Sequence, residues 1–224
     1  MTDPADTRER LIVAAERLFV DEGEEVTSLR AVARAAHANA AAVHYHFGGR
    51  EELLAAVAAR HLGPLAARRR ELLAAVADSV DPHAIVTAAL RADVELLTDL
   101  RRRKVALARF LGRTALNRGG TAAVEHWCGA GFVAELIGQL RPALPLRAAE
   151  VTERVRLAFA LVCALYAAAP EPGASGLVDA DKADELLGQL SAFVVGGLTA
   201  PALRPARGRR PRDTHTDGGK RKKR

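Results

Sequence analysis

The sequence predicts an all-α protein: an N-terminal three-helix helix–turn–helix domain followed by a larger C-terminal helical bundle. Three observations predict it. Hydrophobic residues make up 49% of the 224-residue chain, and Ala and Leu, both strong helix formers, dominate them. Those residues recur at helical spacing, and alternating β-branched runs are scarce. Gly- and Pro-containing breakers punctuate the chain at intervals that leave helices between them.

The first predicted helix covers about Thr7 to Asp21, with Leu11, Ile12, Ala15, Leu18 and Phe19 as its buried stripe. Asp6 and Glu9 stand at capping-box spacing before it. In the second helix Leu29, Val32, Ala33 and Ala36 fall at i, i+3, i+4 and i+7 on one apolar face. A break at His37 to Ala40 separates it from a short third helix that turns Val43 and Phe47 inward. Thr27 and Asn39 stand at the expected N-caps of these two helices, where a side-chain oxygen accepts from an orphan backbone N–H. Gly48-Gly49 then breaks the chain, and a fourth helix from near Arg50 buries Leu53, Leu54 and Val57. Gly63-Pro64 is read as the junction between domains, giving residues 1–62 to the head and 63–200 to the bundle.

Further breaks are expected at Asp81-Pro82, Asn117 to Gly120, Pro142 to Pro145 and Pro170 to Gly176. From about Arg147 to Ala169 the helix is apolar on two faces. Val155, Phe159, Val162 and Tyr166 make one stripe; Leu157, Leu161, Ala164 and Ala168 make the other. The helix from about Asp181 is similar, with Leu186, Leu187, Leu190, Phe193 and Val194. A helix apolar all round needs cover on every side, so a homodimer through the last two helices is expected; a central helix buried within a monomer is the alternative.

The net charge of +6 hides a division. Residues 203–224 carry ten Lys and Arg against Asp213 and Asp217, whereas residues 1–62 carry seven Arg, no Lys and ten acids. The tail, residues 201–224, is nearly devoid of apolar residues and is expected to be disordered. Within the acidic head, Thr27 to Arg50 holds Arg30, Arg34 and Arg50 and no acid. A helix–turn–helix with a local positive field is what insertion into a DNA major groove requires.

No positively charged region precedes an apolar stretch near the start, and the longest apolar run, Leu157 to Ala169, is too short to span a bilayer, so neither a signal peptide nor a membrane span is expected. Cys128 and Cys163 are read as free buried thiols of a cytoplasmic protein. No nucleophile elbow, P-loop or dinucleotide fingerprint occurs, so no enzyme activity and no cofactor are expected. His37, His44, His46 and His61 do not compose a metal set, because positions 44 and 46 lie on different faces of one helix and no Cys or acid completes them.

The segment also resembles the N-terminal DNA-binding domain of the TetR family of transcriptional regulators. The resemblance is carried by Thr27-Ser28-Leu29-Arg30-Ala31-Val32-Ala33, by Val43-His44-Tyr45-His46-Phe47 and by Gly48-Gly49-Arg50-Glu51-Glu52-Leu53, with Ala14 to Phe19 and Gly23 before them. His37-Ala38 departs from the Gly and branched residue usual at the turn, and Glu24 stands where an aromatic is common. The resemblance covers about the first 60 residues and implies a dimeric, small-molecule-responsive regulator, most simply a repressor of double-stranded DNA targets.

On that resemblance Thr27, Ser28, Arg30, Asn39, Ala42, His44, Tyr45, His46 and Arg50 are the candidate DNA-binding residues. Tyr45, His46 and Arg50 are assigned to phosphates and Arg30 to backbone or a base edge, in keeping with the division of labour between positioning and reading contacts. His46 equally suits packing beside Phe47. Ala40, Ala41 and Ala42 offer no hydrogen-bonding group, which leaves base reading to Asn39, His44, Tyr45, the backbone or methyl contact with thymine. Phe110, Arg113, His126, Trp127 and Tyr166 are inward candidates in the bundle, and Phe110, His126, Trp127 and Tyr166 are the expected effector contacts. Two rivals stay open: a sequence-indifferent DNA-coating protein driven by the basic tail, and, with less support, a helical enzyme using the bundle cavity.

Overall fold

The computed structural model describes residues 4–103, 105–120, 122–123, 125, 131–169 and 182–201. Its N-terminal elements are α1 (Pro4–Asp21), α2 (Leu29–Ala35), α3 (Ala40–Phe47) and α4 (Arg50–Ala74). The bundle continues with α5 (Pro82–Arg103), α6 (Val105–Asn117), α7 (Phe132–Leu140), a 3-10 turn (Arg141–Ala143), α8 (Ala148–Ala167) and α9 (Ala183–Thr199). No strand occurs among the described residues.

Two capping expectations shift. Helix α1 begins at Pro4, a residue suited to a first turn because its missing N–H is an orphan there. Asp6 is therefore inside the helix, where it pairs with Arg10 at 3.1 Å rather than capping it. At α2 the cap is Ser28, whose hydroxyl accepts from the Ala31 N–H at 3.1 Å. Thr27 is buried and donates its hydroxyl backward to the Gly23 carbonyl at 2.8 Å. That bond clamps the α1–α2 loop, which is a structural role. Asn39 caps α3 as expected, accepting from Ala41 at 3.0 Å.

The head closes on Leu11, Ile12, Phe19, Val32, Val43, Phe47, Leu53, Leu54 and Val57, all buried. Each large aliphatic so placed contributes about 1.5–3 kcal/mol against exposure. The short helices α2 and α3 depend on it, because isolated helices of this length are marginal in water.

The junction expected at Gly63-Pro64 falls inside α4, which runs unbroken through Pro64. Proline normally ends or kinks a helix by removing one hydrogen bond. Here Leu62, Leu65, Ala66 and Leu73 are buried on both sides of it, and that packing holds the helix together. One rod thus joins head and bundle. Two further contacts bind them: Phe19 stacks on Phe110 at 6.1 Å between ring centres, and Arg118, just past α6, pairs with Glu24 at 3.4 Å and with Glu51.

Helix α6 approaches α8 backbone to backbone at Gly112. A Cβ built there would lie 2.3 Å from the Ala167 nitrogen and 2.6 Å from the Cys163 carbonyl oxygen. The expected start at Asp81-Pro82 is met, with the Asp81 carboxylate accepting from His83 at 2.9 Å. The breaks after Asn117 and around Pro142 also occur, whereas Pro170 to Gly176 lies outside the described residues, as does the tail beyond Pro201.

The two stripes of α8 differ in burial, although Leu161 of the second is half-buried against the core. Val155, Val162 and Tyr166 are buried and Phe159 half-buried, while Leu157 is 63% exposed and Ala164 and Ala168 lie at the surface. On the adjacent α9, Leu186, Leu187 and Val194 face the core and Phe193 is 72% exposed. Among the described residues no helix is long and apolar enough to cross a membrane.

Candidate nucleic-acid interface

Helices α2 and α3 present one outward edge. Ser28, Arg30, Arg34, His37, Asn39, Ala40, Ala41, His44 and Tyr45 are exposed along it, with no carboxylate among them. Val43 and Phe47 fix α3 from beneath, and the guanidinium of Arg8 covers the Phe47 ring at 5.1 Å. Tyr45 is 81% exposed, an unusual state for a large aromatic that no core claims. Its ring meets His46 edge-on at 4.9 Å, and His46 in turn contacts Phe47 at 6.3 Å, so the half-buried His46 links surface to core. His44 lies 3.1 Å through Nδ1 from the Gly48 carbonyl, which requires the proton on that nitrogen and leaves Nε2 facing outward. Ala42 is half-buried, with only part of its methyl outside.

The turn is built without its glycine. His37 adopts φ of +51°, the left-handed region that a side chain enters at a cost of roughly 1–2 kcal/mol. The corner between α2 and α3 therefore turns on a strained residue.

Thr27 and Arg50, two of the nine DNA candidates, turn their polar groups into the head. Thr27 is buried with its hydroxyl engaged, as described, so its side chain does not reach a DNA surface. Arg50 donates to the main-chain carbonyls of Glu24 and Thr27 and lies 5.9 Å over the Phe19 ring. It pins the α1–α2 loop beneath Ser28, which positions the first turn of α2. Sequence inspection did not reveal this role, because carbonyl acceptors leave no side-chain signature.

In the bundle, Tyr166 is buried and donates its hydroxyl to the Asp93 carbonyl at 2.9 Å. Phe110 is buried against Phe19 and lines a separate cleft of about 380 Å³ between α6 and the acidic α1–α2 loop. Arg113 is exposed beside it. His126 and Trp127 lie outside the described residues, as does Cys128. Cys163 is buried, and desolvation pushes its thiol up to about 12.

The bundle core also holds a pair that sequence reading passed over. Arg69 and Asp93 are buried, with Nη2 of Arg69 donating to both carboxylate oxygens at 2.7 and 2.9 Å. Burial raises the Asp93 carboxyl above its ordinary value, and Arg69 opposes that rise. A periodic signal existed. Arg69 falls four residues after Leu65 and four before Leu73, inside the apolar stripe of α4, and Asp93 falls between Leu90 and Leu97 on α5.

Geometry and charge define a helix–turn–helix head with an outward edge free of carboxylates. Residues 11–57 match the model of the bacterial regulatory proteins, tetR family. Among solved structures the fold is similar to the TetR-family regulator PfmR from Thermus thermophilus, at 18% identity over 84% of this chain and 97% of that one, TM-score 0.52. It is similar to NalD, the secondary repressor of the MexAB-OprM multidrug efflux pump in Pseudomonas aeruginosa, at 21% identity over 87% and 96%, TM-score 0.54. A ketosteroid transcriptional regulator of Mycobacterium tuberculosis is comparable at 18% identity over 87% and 95%, TM-score 0.53. No curated protein matches the chain. Residues 11–57 thus match the head model of that family, and the whole chain shares the fold of these solved structures.

Proposed function

We propose that the protein is a homodimeric, cytoplasmic repressor, released from a palindromic operator by a small-molecule effector held in the bundle, and that it performs no catalytic step. The observation that carries the DNA reading is Tyr45: fully offered to solvent at the edge of a helix whose opposite face is locked into the core. Tyr45, His46 and Ser28 are suited to phosphates, while Asn39, His44 and the Ala42 methyl face the groove, and Arg30 reaches backbone or a base edge. Arg50 acts behind them by fixing the loop. The dimer reading rests on the uncovered apolar surface of Leu157 and Phe193 on neighbouring helices, which pairs with its own copy about a two-fold axis. Two copies of α3 would then enter successive major grooves about one DNA turn apart.

Selection of bound DNA from a random pool tests this, using the full chain and a version ending at Ala202. A shared palindrome from both supports a sequence-reading dimer. Enrichment of nothing, with binding lost on removal of the tail, overturns it in favour of a tail-driven coating protein.

A further inference from the structure

The Arg69–Asp93 pair is only half made. Nε and Nη1 of Arg69 are buried with no acceptor, while Nη2 alone serves Asp93. An unmet buried donor costs about 1–3 kcal/mol, and a charged one more, so two on one guanidinium need a reason. The Phe132 ring, 4.0 Å from the guanidinium carbon, covers one face of the cation and supplies no lone pair. Two small cavities of about 30 and 40 Å³ lie against this group, and Arg69 and Asp93 line both. Every other lining side chain named around them is apolar except the thiol of Cys163 and the hydroxyl of Tyr166, which is already bonded to the Asp93 carbonyl.

We propose that the effector is an apolar monocarboxylate whose carboxylate is held by Arg69, entering at its unused Nη1. This rests on the reading of the bundle as an effector site and names the chemical class it takes. A carboxylate that takes the place of Asp93 on the guanidinium balances its one charge, with Asp93 taking up a proton; a doubly charged phosphate would leave an uncompensated buried charge. A carboxylate that accepts from Nη1 and takes Nη2 from Asp93 occupies one edge of the guanidinium through both oxygens. The apolar body replaces Phe132 or Phe159, the half-buried aromatics at the edges of the two cavities, and so opens space that the unliganded core fills. Burial raises the Asp93 carboxyl above its ordinary value, which weakens its hold on the cation against a competing carboxylate.

Octanoate, 1-octanol and octylamine, matched in body and different in charge, make the test, read by calorimetric titration of the full-length protein. Octanoate is expected to bind about tenfold tighter than octanol, the factor that about 1.4 kcal/mol gives, with octylamine weaker still. The double variant Arg69→Met/Asp93→Leu removes both charges together, so no buried ion is stranded and the fold is retained, as a thermal melt checks. It is expected to bind octanol and octanoate alike. Equal or tighter binding of octanol or octylamine to the natural protein overturns the inference, as does a preference for octanoate that survives in the double variant. Absence of saturable binding by all three overturns it too. Release of the selected operator by any neutral or cationic compound would then still uphold the effector reading, so the two failures are separable.

Discussion

Replacing a mid-helix glycine with alanine ordinarily stabilises a helix by about 1 kcal/mol. Gly112→Ala is expected to do the reverse. Its Cβ would meet the Ala167 nitrogen at 2.3 Å, the Cys163 carbonyl oxygen at 2.6 Å and the Tyr166 carbonyl carbon at 2.8 Å. Comfortable contact needs about 3.5–4.0 Å. All three obstacles are backbone, so no rotamer change relieves them and α6 and α8 must separate. Overpacking of this kind costs about 1–3 kcal/mol, and the separation also loosens Leu111, Val162 and Tyr166 around it. With the propensity gain subtracted, a net loss of up to about 2 kcal/mol remains, a fall in Tm of up to about 8 °C for a chain of this length. Gly138→Ala supplies the control, because nothing lies within 4 Å of a Cβ at that position in α7. It should raise Tm slightly. Thermal unfolding followed by circular dichroism reads both, and a Gly112→Ala protein as stable as the control variant would refute the close approach of α6 to α8.

The other expectations follow from single sites. His37→Gly removes left-handed strain of roughly 1–2 kcal/mol and adds about 0.5–1 kcal/mol of chain entropy to the unfolded state, so a rise in Tm of about 1–4 °C is expected. Leu157→Glu combined with Phe193→Glu places four carboxylates at the proposed two-fold contact and should give a monomer by light scattering at unchanged helicity; a persistent dimer would move the interface elsewhere. In a Cys128→Ser background the Cys163 thiol, raised from 9.0 to about 12, should resist alkylation at pH 8 until denaturant is added. Because the folded value is the higher one, its contribution to stability is complete below about pH 9 and is lost as pH climbs toward 12.

The sequence made the head legible because its signals are local. Asn39 caps the helix it precedes, Gly48-Gly49 stops it, and Val43 and Phe47 face inward at one-turn spacing. Ser28 displaced Thr27 as a cap because both residues are competent and only the tertiary path of the loop decides which one is turned inward. Pro64 misled for a similar reason. Its local preference for ending a helix is overridden by burial of Leu62 and Leu65 on either side, which no neighbouring residue encodes. The two faces of α8 were readable from periodicity, whereas the partners of Arg50 were not, since two main-chain carbonyls more than twenty residues earlier are silent in sequence. Arg69 hid within Arg68-Arg69-Arg70, where composition suggests a solvated run and only the phase of the helix sets the middle residue apart.

The unbroken α4 has a mechanical consequence. It spans 25 residues, about 37 Å at 1.5 Å per residue, with Arg50 gripping the reading head at one end and Arg69 embedded in the core toward the other. Pro64 lies between them and lacks one rung of the helical ladder. The rod is therefore a lever with a built-in compliant point close to its middle. A tilt of about 5° there displaces the Arg50 end by about 2 Å over its 14 residues. In the proposed two-fold pair that displacement would count twice, on a target whose grooves repeat at a fixed interval.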